Sequence, residues 1–199
     1  MEFRFTWEVL QQIWDTHGLG TVQTVACPRW GSMNQTVIVN RSHLVRFKVR
    51  PKGAYRFLTE HKACVMLADR KSVPSPEIVV FDDTFGIVPY EYLIMVCLPG
   101  LPLPIFWQQF RDLEKREIGV TVGSALAEIH SVKLEVYGDI VAASPHHFDS
   151  WHEYVEDYWL HCVSMAQSMS DTLHIIESVE KIYSEYNSLV DWVREPSLL

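Results

Sequence analysis

Residues 21–49 read TVQTVACPRWGSMNQTVIVNRSHLVRFKV, and this stretch decides the fold. Alternating and β-branched residues predict three consecutive strands, over residues 22–27, 35–39 and 43–49. A polar loop with a single glycine separates the first two strands, and an Asn-Arg-Ser turn separates the second from the third. The stretch therefore predicts the first half of an antiparallel sheet.

The third of these strands carries two cations on one face. Because side chains alternate along a strand, Leu44, Arg46 and Lys48 share one face, and the other face is wholly apolar. A cation that projects from the third strand beneath a glycine-containing loop is how kinase-type folds hold the α- and β-phosphates of a nucleotide. The pattern thus indicates a nucleotide site.

The rest of the chain changes from strands to helices. Further strands are predicted at residues 77–81 and 91–98, and helices at 7–15, 52–70, 114–130, 151–165 and 173–193. Prolines and a glycine at residues 99–104 stop the sheet. We therefore expect an α+β protein with two lobes that meet near this point.

Composition excludes several functional classes. The apolar fraction of 48% is enough for a folded core, and the longest apolar stretch, residues 92–107, is broken by prolines. Residues 1–100 carry a net charge of +2 and residues 101–199 a net charge of −10. We therefore expect no membrane span and no nucleic-acid partner, while a cationic small-molecule partner is compatible with the acidic half.

Cysteine spacing and the N-terminus bear on the compartment. The four cysteines form no CxxC pair, and no charged region precedes an apolar segment within residues 1–20. Both observations favour a cytoplasmic protein with reduced thiols.

Seven segments in order, WGSMN, HLVRFKV, the helix with Glu60, VPSPEIVVF, YLIMVCLPG, ALAEIH and VYGDI, resemble the aminoglycoside phosphotransferase family. The resemblance runs from about residue 22 to the end of the chain. It implies a protein-kinase-like fold with a nucleotide-binding small lobe at residues 1–100, built from a five-stranded antiparallel sheet plus a helix. A hinge at about residues 96–104 and an incomplete helical substrate lobe at residues 105–199 would follow.

The resemblance also implies a set of nucleotide-binding residues. In the family the loop after the first strand covers the phosphates, a third-strand cation contacts them, and a helix glutamate pairs with that cation. Lys48 is a second candidate for the cation. The residues that match these roles are Gly31, Ser32, Met33, Asn34, Arg46 and Glu60.

The final strand of the small lobe and the hinge would bind the purine. Met95 would line its pocket, and backbone groups of Val96, Cys97 and Leu98 would bond its edge. Backbone recognition tolerates almost any side chain, so the sequence constrains these residues weakly. The same apolar residues also fit an ordinary buried strand.

The catalytic part of the family pattern is missing from these 199 residues. No HGDxxxxN loop and no later magnesium-binding Asp follow the last predicted helix, so no catalytic or metal-binding residue is assigned. The complete protein would use ATP or GTP with Mg²⁺ to phosphorylate a hydroxyl of a small molecule; the substrate stays open, and a cationic one is compatible with the acidic half. The chain as given is expected to be an inactive fragment of such an enzyme, with a non-catalytic nucleotide-binding or interaction module as the alternative.

Histidines elsewhere do not form a recognised site. His130 matches a family histidine at the end of a helix and is expected to be structural. Residues 146–162 hold four histidines and Cys162, but their spacing fits no standard zinc pattern, and no metal site is predicted there.

Overall fold

A computed structural model describes residues 6–28, 34–49, 57–138, 140–141, 147–167, 181 and 183–185. Its first part contains α1 (Trp7–Thr16), β1 (Val25–Ala26), β2 (Gln35–Val39), β3 (His43–Phe47), α2 (Phe57–Leu67), β4 (Ile78–Asp82) and β5 (Tyr92–Val96). Next come α3 (Leu103–Phe106), a short 3₁₀ turn (Trp107–Gln109), α4 (Asp112–His130), β6 (Tyr137–Gly138), β7 (His147–Phe148) and α5 (Trp151–Gln167). The helix predicted at residues 173–193 lies almost wholly outside these ranges.

The five strands β1 to β5 form one antiparallel sheet in the order β1-β2-β3-β5-β4. The predicted sheet and α+β class are therefore confirmed. β3 lies at the centre, and in its register Arg46 is opposite Thr36 of β2 and Leu93 of β5. The candidate cation thus projects from the middle of the sheet, with a strand on either side.

Strand β5 is apolar on both faces, so both faces of the sheet need cover. One helix covers each face. Leu10, Ile13 and Trp14 of α1 pack in one cluster with Val45 and Phe47 of β3. On the opposite face, the first residue of α2 packs against Leu93 and Met95. The alternation predicted for β3 therefore separates the α1 face from the α2 face.

The first predicted strand is shorter than expected. The ladder covers only Val25–Ala26, although alternation predicted a strand over residues 22–27. The backbone of the preceding residues bonds instead to two side chains: the Val22 N–H donates to Gln11 at 2.9 Å and the Gln23 N–H donates to Asn40 at 2.7 Å. The alternation of apolar and polar residues does not show where side chains, in place of a neighbouring strand, accept the backbone hydrogen bonds.

The turn between β2 and β3 has a conformation that suits a tight hairpin. Asn40 and Arg41 both have positive φ, 52° and 56°, and the Ser42 N–H donates to the Val39 carbonyl at 3.2 Å. Positive φ at both central residues suits the right-handed twist of the flanking strands. The predicted turn is confirmed.

Contacts divide the chain into two compact units, Met1–Leu126 and Ala127–Leu199. Within the second unit, β6 pairs with β7, and Trp151 of α5 lies 6.3 Å from Tyr137 between ring centroids. The lobe boundaries drawn from the resemblance stay a prediction. Among the helices described, none is long and apolar enough to cross a membrane.

Candidate functional site

Arg46 and Glu60 come together on the α2 face of the sheet. Arg46 projects from β3, Glu60 lies in the first turn of α2, and the guanidinium Nη1 donates to Glu60 Oε1. The guanidinium carbon also lies 5.3 Å from the centre of the Phe57 ring. The two side chains are only 21% and 16% exposed. The contact expected from sequence is present, and it fixes the direction of the cation.

This environment does not favour the charged carboxylate. Burial raises the pKa of Glu60 above its ordinary value, and attraction and hydrogen bonding from Arg46 lower the pKa only in part. Carboxyl groups whose pKa is shifted by burial next to a charged partner are concentrated at functional sites.

Lys48, the second candidate cation, has a different partner. Its Nζ lies 3.1 Å from Oε1 of Glu91, and its backbone N–H donates to the Glu91 carbonyl at 3.0 Å. Lys48 therefore closes the end of the β3–β5 ladder. Arg46 is tied to a helix and Lys48 to a neighbouring strand.

At the predicted hinge, the sheet uses most of the backbone donors. The Val96 N–H donates to the Glu77 carbonyl at 2.9 Å, and the Cys97 N–H donates to the Ser42 carbonyl at 2.8 Å. Within the described residues, the Leu98 N–H has no acceptor. Met95 is buried on the α2 face, where it packs with Phe57. Leu98 thus offers the donor that a purine edge could use.

The predicted phosphate loop lies mostly outside the described residues. Gly31, Ser32 and Met33 fall in the gap, and Asn34, half-buried, is described just before β2. Their role in phosphate binding stays a prediction.

Sequence reasoning missed a polar cluster at the edge of the α1 face. The Tyr92 hydroxyl donates to Asp82 Oδ2 at 2.7 Å and lies 2.7 Å from His17 Nε2. Burial and the adjacent carboxylate raise the pKa of Tyr92. The three residues lie far apart in sequence, and the one available signal was a tyrosine in an apolar strand, whose buried hydroxyl needs a partner.

Metal ligation finds no support in the described residues. No three His, Cys, Asp or Glu side chains come together there as ligands would. His130 is half-buried as the last residue of α4.

The fold that carries the Arg46–Glu60 contact is similar to folds of solved structures. The chain has the fold of the aminoglycoside phosphotransferases. It is similar to ADP-bound APH(2'')-Ib, with a TM-score of 0.61 and 16% identity over 92% of this chain and 60% of that one. A GDP and kanamycin complex of APH(2'')-IIIa gives a TM-score of 0.61 and 13% identity, over 92% of this chain and 59% of that one.

A candidate fructosamine-3-kinase from Thermobifida fusca has the same fold. Its TM-score is 0.58 and its identity 16%, over 97% of this chain and 66% of that one. The chain spans about three fifths of the length of the aminoglycoside phosphotransferases it matches. No protein-family model matches the sequence, and no curated protein matches it.

Proposed function

We propose that this chain binds a purine nucleoside triphosphate on the α2 face of its sheet. The complete protein would be a phosphotransferase that moves the γ-phosphate to a hydroxyl of a small molecule. The observation that carries the proposal is the half-buried Arg46 on the central strand β3, where Glu60 holds its guanidinium. A fixed guanidinium in a partly desolvated site is suited to the oxygens of a phosphate.

The purine would lie beside the hinge. The Leu98 N–H, which has no acceptor among the described residues, would donate to a ring nitrogen or oxygen of the base. ATP and GTP are both candidates, because similar structures hold ADP in one protein and GDP in another. Asn34 and residues 31–33 would complete the phosphate contacts.

The substrate proposal is coarser. Similar folds hold kanamycin in one case and belong to a candidate sugar-amine kinase in another, so a small, hydroxyl-bearing and cationic molecule fits best. A cytoplasmic location belongs to the same proposal, supported by four cysteines that are all free.

Calorimetric titration with ATP and with GTP tests this function. The wild-type chain, shown to be folded by circular dichroism, should bind at least one of them. Arg46→Met should weaken binding about 10- to 100-fold, because a hydrogen bond to a charged group contributes roughly 1.5–3 kcal/mol. Lys48→Met, which makes the same kind of change just after the same strand, should have a smaller effect.

Two results would count against the proposal. If neither nucleotide gives heat at millimolar concentration, the chain does not bind nucleotide in this way, and the alternative of an interaction module is supported instead. If Arg46→Met and Lys48→Met weaken binding equally, the phosphate role does not belong to Arg46.

A further inference from the structure

Strand β4 forms an open edge of the sheet. Within the described residues its one strand neighbour is β5, and the strand at the opposite edge, β1, is only two residues long. β4 is five residues long and reads IVVFD, without lysine or proline. Sheet edges are commonly protected by short strands, by lysine or proline, or by a bulge. On β4 the irregularity is confined to a register shift between Ile78 and Val80, so the rest of the strand can still pair.

The hydrogen bonds of β5 show which backbone groups of β4 face this edge. The Val96 N–H donates to the Glu77 carbonyl, on the side of β4, at 2.9 Å. Because bonding alternates along an antiparallel strand, every second residue of β5 bonds to β4 and the others bond to β3. In the register, Ile78 and Phe81 are opposite residues of the second kind, so their own N–H and C=O groups point away from β5. In the part of the chain that the structure describes, neither N–H has an acceptor.

The side chains of β4 are apolar and incompletely covered. Ile78 and Phe81 pack on the α2 face and Val80 packs on the α1 face, but all three stay half-buried. Val79 is 36% exposed. A strand added to this edge would cover more apolar surface on both faces, and its backbone would supply the acceptors that β4 lacks.

Carboxylates at both ends of β4 determine which strand could add to it. Glu77 precedes the strand and Asp83 follows it, both are exposed, and neither has an ion pair among the described residues. Residues 72–110 contain no lysine or arginine. A second copy of β4 would place these carboxylates opposite each other in an antiparallel pair and beside each other in a parallel pair. Like charges in such positions are destabilising, so the edge disfavours itself and favours a strand with cationic ends.

We propose that β4 binds an extended segment of a partner protein by strand addition. The segment would alternate apolar and polar residues and carry lysine or arginine at its ends, close to Glu77 and Asp83. Its backbone carbonyls would accept from the N–H groups of Ile78 and Phe81. In this mode of recognition the backbone bonds give affinity, and the side chains give specificity. The inference goes beyond the proposed function and does not depend on nucleotide binding.

A defined peptide tests this surface. The probe has seven residues, alternating valine and threonine between two terminal lysines, with both ends blocked, and is titrated by NMR into the isotope-labelled chain. The amides of Ile78 and Phe81 should shift with one affinity and exchange more slowly with solvent. The same peptide with glutamate in place of both lysines should bind about tenfold more weakly at low salt, and the difference should shrink as salt is added.

Reversing the charges on the chain gives the sharpest comparison. The double variant Glu77→Lys with Asp83→Lys should bind the glutamate-ended peptide more tightly than the lysine-ended one. Both side chains are exposed, and circular dichroism checks that the fold is kept. The matched control is Glu117→Lys with Glu135→Lys, which changes the net charge equally at exposed positions outside β4 and should keep the wild-type preference.

Three results would overturn the proposal. No shift at Ile78 and Phe81 with millimolar peptide, or shifts that lie only outside β4, would mean that no segment adds at this edge. Equal affinity for the two peptides, or a preference that the double variant leaves unchanged, would exclude selection by Glu77 and Asp83. Shifts at Ile78 and Phe81 that follow the concentration of the chain alone would make a second copy the occupant.

Discussion

Replacing Glu60 with glutamine should change the free energy of unfolding little, and by an amount that depends on pH. Attraction between the two charges is worth about 4 kcal/mol at 4 Å in an effective dielectric of 20. Removing each ion from water costs several kcal/mol, so the two effects nearly cancel. Glutamine still accepts a hydrogen bond from Arg46. At neutral pH we therefore expect Glu60→Gln to destabilise the fold by no more than about 1.5 kcal/mol.

The pH dependence follows from the raised pKa of Glu60. A carboxyl whose pKa is higher in the folded state stabilises the fold most below its ordinary value of 4.5. That contribution is lost as the pH rises through the folded-state pKa. Glutamine does not titrate, so the free energy of unfolding of the wild type, relative to that of Glu60→Gln, should fall between pH 4.5 and pH 7.

Urea unfolding of both proteins across this pH range measures the difference directly, since all other carboxyl groups are common to both. A wild-type advantage that instead grows with pH, or one of 3 kcal/mol or more at pH 7, would refute the reasoning, because breaking a net-stabilising buried pair costs about 3–5 kcal/mol. Arg46–Glu60 would then be mainly a structural ion pair.

Three further changes test other parts of the fold. Tyr92→Phe should destabilise by about 1–2 kcal/mol through its lost bond to Asp82. Burial tends to raise the pKa of Asp82, but hydrogen bonds from Thr84 and Tyr92 and the nearby His17 hold this pKa below its ordinary value. A lowered carboxyl pKa stabilises the folded state at neutral pH, and this stabilisation is lost as pH falls. Acid unfolding of Tyr92→Phe, followed by circular dichroism, should therefore begin at higher pH than that of the wild type. Phe85→Gly should raise the thermal midpoint, since an exposed phenylalanine at φ 58° carries about 1 kcal/mol or more of backbone strain. Thr6→Ala should lose the cap on the Val9 N–H and about 1 kcal/mol in urea unfolding.

The central strands and the ion pair could be predicted because their signals are local. β2 matches its predicted bounds, and β3 and β5 differ by a residue or two at their ends. The alternation of Arg46 with Val45 and Phe47 assigned each side chain to a face. The distance from Arg46 to Glu60 along the chain is short enough for one strand and one helix to bring them together.

Other features depend on contacts between distant parts of the chain. The bonds of Gln11 and Asn40 shorten β1, and nothing in the alternation of residues 22–27 shows them. Glu91 takes Lys48 as a partner only in the register of β3 with β5. Strand pairing of this kind is set by the whole sheet and not by either segment alone.

The proposed function requires that a purine nucleotide binds between Arg46 and the hinge. An NMR titration of the isotope-labelled chain with ATP tests it most directly. We predict that the Arg46 side-chain signal and the Leu98 amide shift together with one affinity, while Trp14 and the other α1-face residues stay unchanged. Shifts that are confined to the α1 face, or no shift at Arg46 and Leu98 at saturating nucleotide, would contradict the account.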